Sequence, residues 1–133
     1  MGARLGFVML VLFGSLGGAR LCLAQAPADS LPADITPAVI AGGHKIFLGE
    51  GLCLACHGAD AKGSLGPNLT DQTWLHGKGT FPEIVARVLA GVTSDQSKLG
   101  QIMPPRGGSG LTDEQVRAVA AYVWTLSHKP PLK

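Results

Sequence analysis

The sequence predicts a small all-α domain of three to four helices. Two observations carry this. Three segments show helical spacing of apolar residues behind recognisable start signals, and no stretch alternates convincingly as a strand. Between those segments run long loops rich in Gly and Pro. Helices this few and this modest would bury a marginal core by themselves.

The first helix is expected from Pro37 to Leu48. Pro37 suits a first turn, Val39, Ile40, Ile46 and Phe47 supply apolar faces, and Gly43, four residues before Phe47, leaves room for another helix to cross closely. The second begins at Thr80-Phe81-Pro82-Glu83, a capping-box spacing with proline in the first turn, and ends near Gly91. Ile84, Val85, Val88 and Leu89 form its stripe. The third begins at Thr112-Asp113-Glu114-Gln115, a second capping box, and runs to about Ser127. Its inner face is Val116, Val119, Ala120, Val123 and Leu126, and Pro130-Pro131 stops continuation. A short helical turn is expected over 70–75.

The N-terminal residues read as an export signal over 1–26. Arg4 gives a positive start, Leu5 to Phe13 is apolar, and Ala24-Gln25-Ala26 has the small-x-small cleavage pattern, which puts the mature start near Pro27. Retention of the segment as an uncleaved anchor is the alternative. Residues 27–36, rich in Pro, Ala and Asp, read as a flexible lead-in, residues 37–128 as the folded domain, and residues 129–133 as a tail. The whole chain carries 11 Lys+Arg against 9 Asp+Glu; loss of Arg4 and Arg20 leaves nine of each sign. A neutral mature chain without a basic, aromatic-laced patch gives no support to nucleic-acid binding.

Cys53-Leu54-Ala55-Cys56-His57 is the stretch with the most chemistry. In C-x-x-C-H, each thiol can bond one vinyl group of a porphyrin, and the histidine then supplies an axial nitrogen to the iron. A thioredoxin-type pair would want a βαβ setting, and a zinc site would want a second Cys/His pair; the sequence offers neither. Of the chain's 3 cysteines, Cys22 falls within the signal, so Cys53 and Cys56 stand alone in the mature protein. The expected cofactor is therefore one covalently bound haem c, with His57 as proximal ligand. Pro67, ten residues beyond His57, offers a carbonyl to the imidazole's other nitrogen, although Gly66-Pro67 also reads simply as a turn. Met1 and Met9 fall within the signal, which leaves Met103 as the candidate sixth ligand, on a loop stiffened by Pro104 and Pro105. His76, beside Trp74, is its rival; His44 and His128 read as surface histidines.

With these residues, the sequence resembles the class I (monohaem) cytochrome c family over about residues 37–128. The resemblance rests on Gly43 and Phe47, Cys53/Cys56/His57, Gly66-Pro67-Asn68-Leu69, Met103-Pro104-Pro105 and the helix holding Tyr122. It implies the cytochrome c fold, with the first and last helices crossing at right angles near Gly43. It also implies Trp74 close to a haem propionate, and attachment of the haem outside the bacterial cytoplasm. The stretch from Gly66 to Gly77 further resembles haem domains of cbb3-type oxidase subunits.

Iron held by His and Met has no open site, which suits one-electron exchange and not substrate chemistry. The expected function is a periplasmic electron carrier serving donor and acceptor proteins, with no catalytic residue. The alternative is a haem-bearing subunit of a larger membrane or periplasmic oxidoreductase, with any membrane attachment made through that partner or the uncleaved anchor. An open iron serving peroxidase or gas-sensing chemistry is the third reading, and it lacks a distal Arg/His pair.

Overall fold

A computed structural model describes residue 2 and residues 30–128. The expected signal over 1–26, apart from residue 2, and the tail over 129–133 lie outside the described residues. Four α-helices follow in order: α1 (Pro37–Leu48), α2 (Leu54–His57), α3 (Phe81–Ala90) and α4 (Asp113–Ser127), with a 3₁₀ turn at Pro105–Gly108 before the last. Among the described residues the only extended pairing is a single antiparallel bridge between Val92 and Met103.

The helix starts are chemical. Thr36 accepts the Val39 N–H at 3.3 Å ahead of Pro37. Thr112 and Gln115 close a reciprocal box at α4, with Gln115 N–H on Thr112 Oγ1 at 3.2 Å and Thr112 N–H on Gln115 Oε1 at 2.9 Å. At α3 the Glu83 carboxylate reaches back to the N–H groups of Thr80, at 3.1 Å, and Lys78, at 2.8 Å. Its first helical turn is thus tied to the loop that precedes it.

The core lies where α1 and α3 meet α4. Phe47, Val116 and Val119 are fully buried, with Phe81, Ile84 and Val88 of α3 packed behind them. Val85 and Leu89 sit at the edge of the α3 stripe, half-buried. The α1–α4 contact is close because α1 presents Gly43: a Cβ there would stand 2.0 Å from the Ala118 carbonyl oxygen. Tyr122 of α4 closes the same seam, edge-on to Phe47 at 5.5 Å and stacked on His44 at 4.6 Å.

Two expectations are corrected. Residues 70–75 form bends and no helical turn. Asn68 Oδ1 takes the Thr70 N–H and Asp71 Oδ1 takes the Thr73 N–H, both at 2.8 Å. Such side-chain acceptors satisfy the backbone locally in place of helical bonds. The described part of the lead-in, 30–36, is no loose leader. Leu31 and Ile35 pack on the core, and Asp34 pairs with Arg117 of α4 at 2.7 Å. Two apolar residues spaced four apart were enough to dock it.

Candidate functional site

The C-x-x-C-H run occupies the one-turn helix α2, entered through Leu52 in the left-handed region at φ 56°. This turn sets Cys53 and Cys56 on one wall of a deep apolar cleft, together with His57. Both thiols are free and half-buried. Burial pushes the Cys53 thiol above its ordinary value of 9.0, and the thiol contacts the Gly51 carbonyl oxygen at 3.3 Å. A disulfide-exchange cysteine needs the opposite shift, toward thiolate.

His57 is buried at 8 % exposure, and Nδ1 lies 2.9 Å from the Pro67 carbonyl oxygen. A carbonyl oxygen only accepts, so Nδ1 carries the proton and Nε2 keeps its lone pair. Burial holds the imidazole below its ordinary 6.5, outweighing the opposite pull of the Pro67 carbonyl, so the ring is neutral at neutral pH. A neutral, oriented imidazole is the form that binds metal.

The loop after α2 wraps this ring with its own backbone. Gly63 N–H bonds the His57 carbonyl and Gly66 N–H the Cys56 carbonyl, each at 2.8 Å. Gly66 lies flat on the imidazole, where a Cβ would come within 3.0 Å of Cε1. This makes Gly66 as much a part of the site as Pro67.

Met103 lines the same cleft from a different loop, half-buried. Its backbone is paired both ways with Val92, Val92 N–H to Met103 O at 2.7 Å and Met103 N–H to Val92 O at 3.0 Å. The pairing needs Gly91, at φ 70°, because a Cβ there would stand 2.2 Å from the Met103 oxygen. Trp74 is also on the cleft wall, its indole lying against Gly79, where a Cβ would be 2.1 Å from Nε1.

All six residues singled out in the sequence (Cys53, Cys56, His57, Pro67, Trp74 and Met103) therefore meet in one cleft. Of the other histidines, only His76 lines it. His44 is taken up by its stack on Tyr122, and His128 by a stack on Trp124 at 4.4 Å. His76 carries the cations Arg87 and Lys98 as neighbours, which with desolvation lower its proton affinity. Among the described residues no three His, Cys, Asp or Glu side chains converge to hold a metal ion without further help. A pair of thiols, one neutral imidazole, one thioether and apolar walls is a donor set that fits a haem, whose macrocycle supplies the remaining four ligands. Gly66, Gly79 and Gly91 shape the site by close approach, a role the sequence reading did not give them: Gly66 was read as part of a Gly-Pro turn and Gly91 as a helix end.

The profile described as "Cytochrome C oxidase, cbb3-type, subunit III" matches residues 38–123. The chain belongs to this cbb3-type subunit III family. The CcoP subunit of a cbb3-type cytochrome c oxidase from Rubrivivax gelatinosus is 43% identical over 105 residues, covering 78% of this chain and 31% of that protein. A FixP subunit from Sinorhizobium medicae (strain WSM419) is 43% identical over 81 residues, covering 59% and 27%. The chain thus spans about a third of the length of the curated relatives it matches. Among solved structures, cytochrome CL from Methylophaga aminisulfidivorans MPT superposes with a TM-score of 0.52 at 22% identity, over 68% of this chain and 54% of that one. That superposition shows the cytochrome c fold, in agreement with the all-α expectation. Among the described residues of this subunit III family member, no helix is long and apolar enough to cross a membrane.

Proposed function

We propose that this chain is a haem-bearing electron-transfer part of a larger oxidoreductase complex, with one haem c bound covalently through Cys53 and Cys56 and its iron held by His57 and Met103. The observation that carries the reading is the cleft itself. It brings both thiols, a neutral imidazole with Nε2 free and the Met103 thioether to one apolar space. The bound haem supplies a one-electron couple. In this reading His57 and Met103 would hold the iron from its two faces, and the apolar cleft walls would limit the access of water. Trp74, whose indole lies on the cleft wall against Gly79, is assigned to the propionate edge on the resemblance to class I cytochromes c.

Assignment to a complex is favoured over a freely diffusing carrier by the relatives, which are subunits of cbb3-type cytochrome c oxidases. Substrate turnover then belongs to other parts of such an assembly, and any membrane contact is made through it or through residues 1–26. The periplasm is the compartment that suits thioether attachment and the export signal.

The test is expression with c-type maturation, followed by denaturing electrophoresis and haem staining. One haem should stay on the wild-type chain and be lost from the Cys53→Ala/Cys56→Ala double variant. Recovery of the tagged chain from membranes in fixed ratio with other redox subunits would support the complex; recovery alone from the soluble fraction would favour the carrier.

A further inference from the structure

The loop that carries Met103 is fastened at both ends, and the second fastening is a single arginine. Upstream, the Val92–Met103 pairing holds the residue's own backbone. Downstream, Arg106 occupies the left-handed region at φ 55°, ψ 27°, a conformation disfavoured for any residue but glycine. Its guanidinium spans forward across the loop. Nη1 donates to the Leu111 carbonyl at 2.8 Å and Nη2 to the Asp113 carboxylate at 2.6 Å. Arg106's side chain is 33% exposed and Asp113's 79%. Its own carbonyl accepts the Ser109 hydroxyl at 2.6 Å. Immediately after it, Gly107 lies on the loop that feeds the C-x-x-C-H turn, where a Cβ would stand 2.7 Å from the Gly51 oxygen.

From this we infer that Arg106 is a positioning residue that sets how firmly Met103 keeps the sixth position on the iron, by strapping the Met103 loop to the start of α4 through Leu111 and Asp113. The inference rests on the His57/Met103 reading above and deepens it. A fork that reaches two acceptors two residues apart, a backbone carbonyl and a carboxylate, fixes direction as well as distance, which a lysine cannot reproduce. With the strap released, the hydrogen bonds left to residues 104–110 are local turn bonds, beside their packing on α3 and Gly51, and Met103 keeps its backbone pairing with Val92.

The test uses the full haem-loaded protein and imidazole as an exogenous ligand for the ferric iron, followed by its optical shift. Arg106→Gly removes the fork while accepting the left-handed backbone. It should bind imidazole roughly tenfold more tightly than wild type, equivalent to about 1.4 kcal/mol. Asp113→Asn, outside the loop and leaving the Leu111 bond in place, should give a smaller change in the same direction. Arg106→Lys should resemble Arg106→Gly and fail to restore the wild-type affinity. Unchanged imidazole affinity in Arg106→Gly, with only a lower melting temperature, would overturn the inference and leave a purely structural role. If Arg106→Gly fails to take up haem, Asp113→Asn and Arg106→Lys decide alone, and wild-type affinity in both overturns it. Saturation of the wild type at micromolar imidazole would instead overturn Met103 ligation itself, which separates failure of the strap from failure of the reading beneath it.

Discussion

At His57 two nitrogens of one ring have different duties, and the residues around the ring assign them. Nδ1–H is held by the Pro67 carbonyl at 2.9 Å, so Nε2 is the nitrogen left for iron. Gly66 leaves room for the ring, since a Cβ there would meet Cε1 at 3.0 Å and Nδ1 at 3.1 Å. Gly66→Val should therefore tilt the imidazole and lengthen its bond to Pro67. A histidine that donates less to a carbonyl is a weaker base toward iron. The ferric state then loses more stabilisation than the ferrous, and the midpoint potential of the haem-loaded variant should rise. A spectroelectrochemical titration measures it; an unchanged potential would mean that the Pro67 bond does not tune the iron. Position 66 was readable in the sequence only as half of a Gly-Pro turn. Its second role appears once the His57 ring is placed against it.

For the elements, the α1–α4 crossing depends on a missing side chain. A Cβ at Gly43 would meet the Ala118 carbonyl oxygen and carbon at 2.0 and 2.5 Å, backbone atoms that cannot step aside. Gly43→Ala should cost more than about 2 kcal/mol of folding stability, in the range of overpacked contacts. The neighbouring Gly42 has nothing within 4 Å of such a Cβ. Gly42→Ala should be neutral or stabilising by up to about 1 kcal/mol through helix propensity. Denaturant titration of the pair separates close approach from propensity. α3 adds a pH dependence. The Lys78 and Thr80 N–H groups hold the Glu83 carboxyl below its ordinary 4.5. A depressed folded value means that the unfolded chain takes the proton first, so this contribution is complete above 4.5 and fades as pH falls through the folded value. Melting temperature followed downward from neutral pH should thus drop more steeply in wild type than in Glu83→Gln, which lacks the titrating group.

Over the whole molecule, what the sequence made legible and what it hid divide by distance along the chain. The three long helices were legible because apolar spacing, capping residues and prolines are local signals. α1 ends at Leu48, where expected. The haem motif was legible because its chemistry is packed into five consecutive residues. Hidden were the features made by segments far apart. These include the Val92–Met103 pairing and the docking of Leu31 and Ile35. The one-turn α2 and the 3₁₀ turn after Pro104 are too short for any periodicity to show. The bends at 70–75 were missed because Asn68 and Asp71 were not read as local acceptors for the Thr70 and Thr73 N–H groups. The resulting core is small and Val/Ala-rich, consistent with a fold whose largest apolar element is its cofactor.

The central claim is that Met103 and His57 together close the iron of a covalently held haem. The direct measurement is the optical spectrum of the dithionite-reduced, haem-loaded protein before and after carbon monoxide. The account predicts a low-spin spectrum that the gas leaves unchanged in the wild type, and prompt binding once Met103→Ala opens the site. A prompt shift in the wild type would contradict it, because the sixth position would then be open or weakly held and the chain suited to ligand chemistry in place of electron transfer.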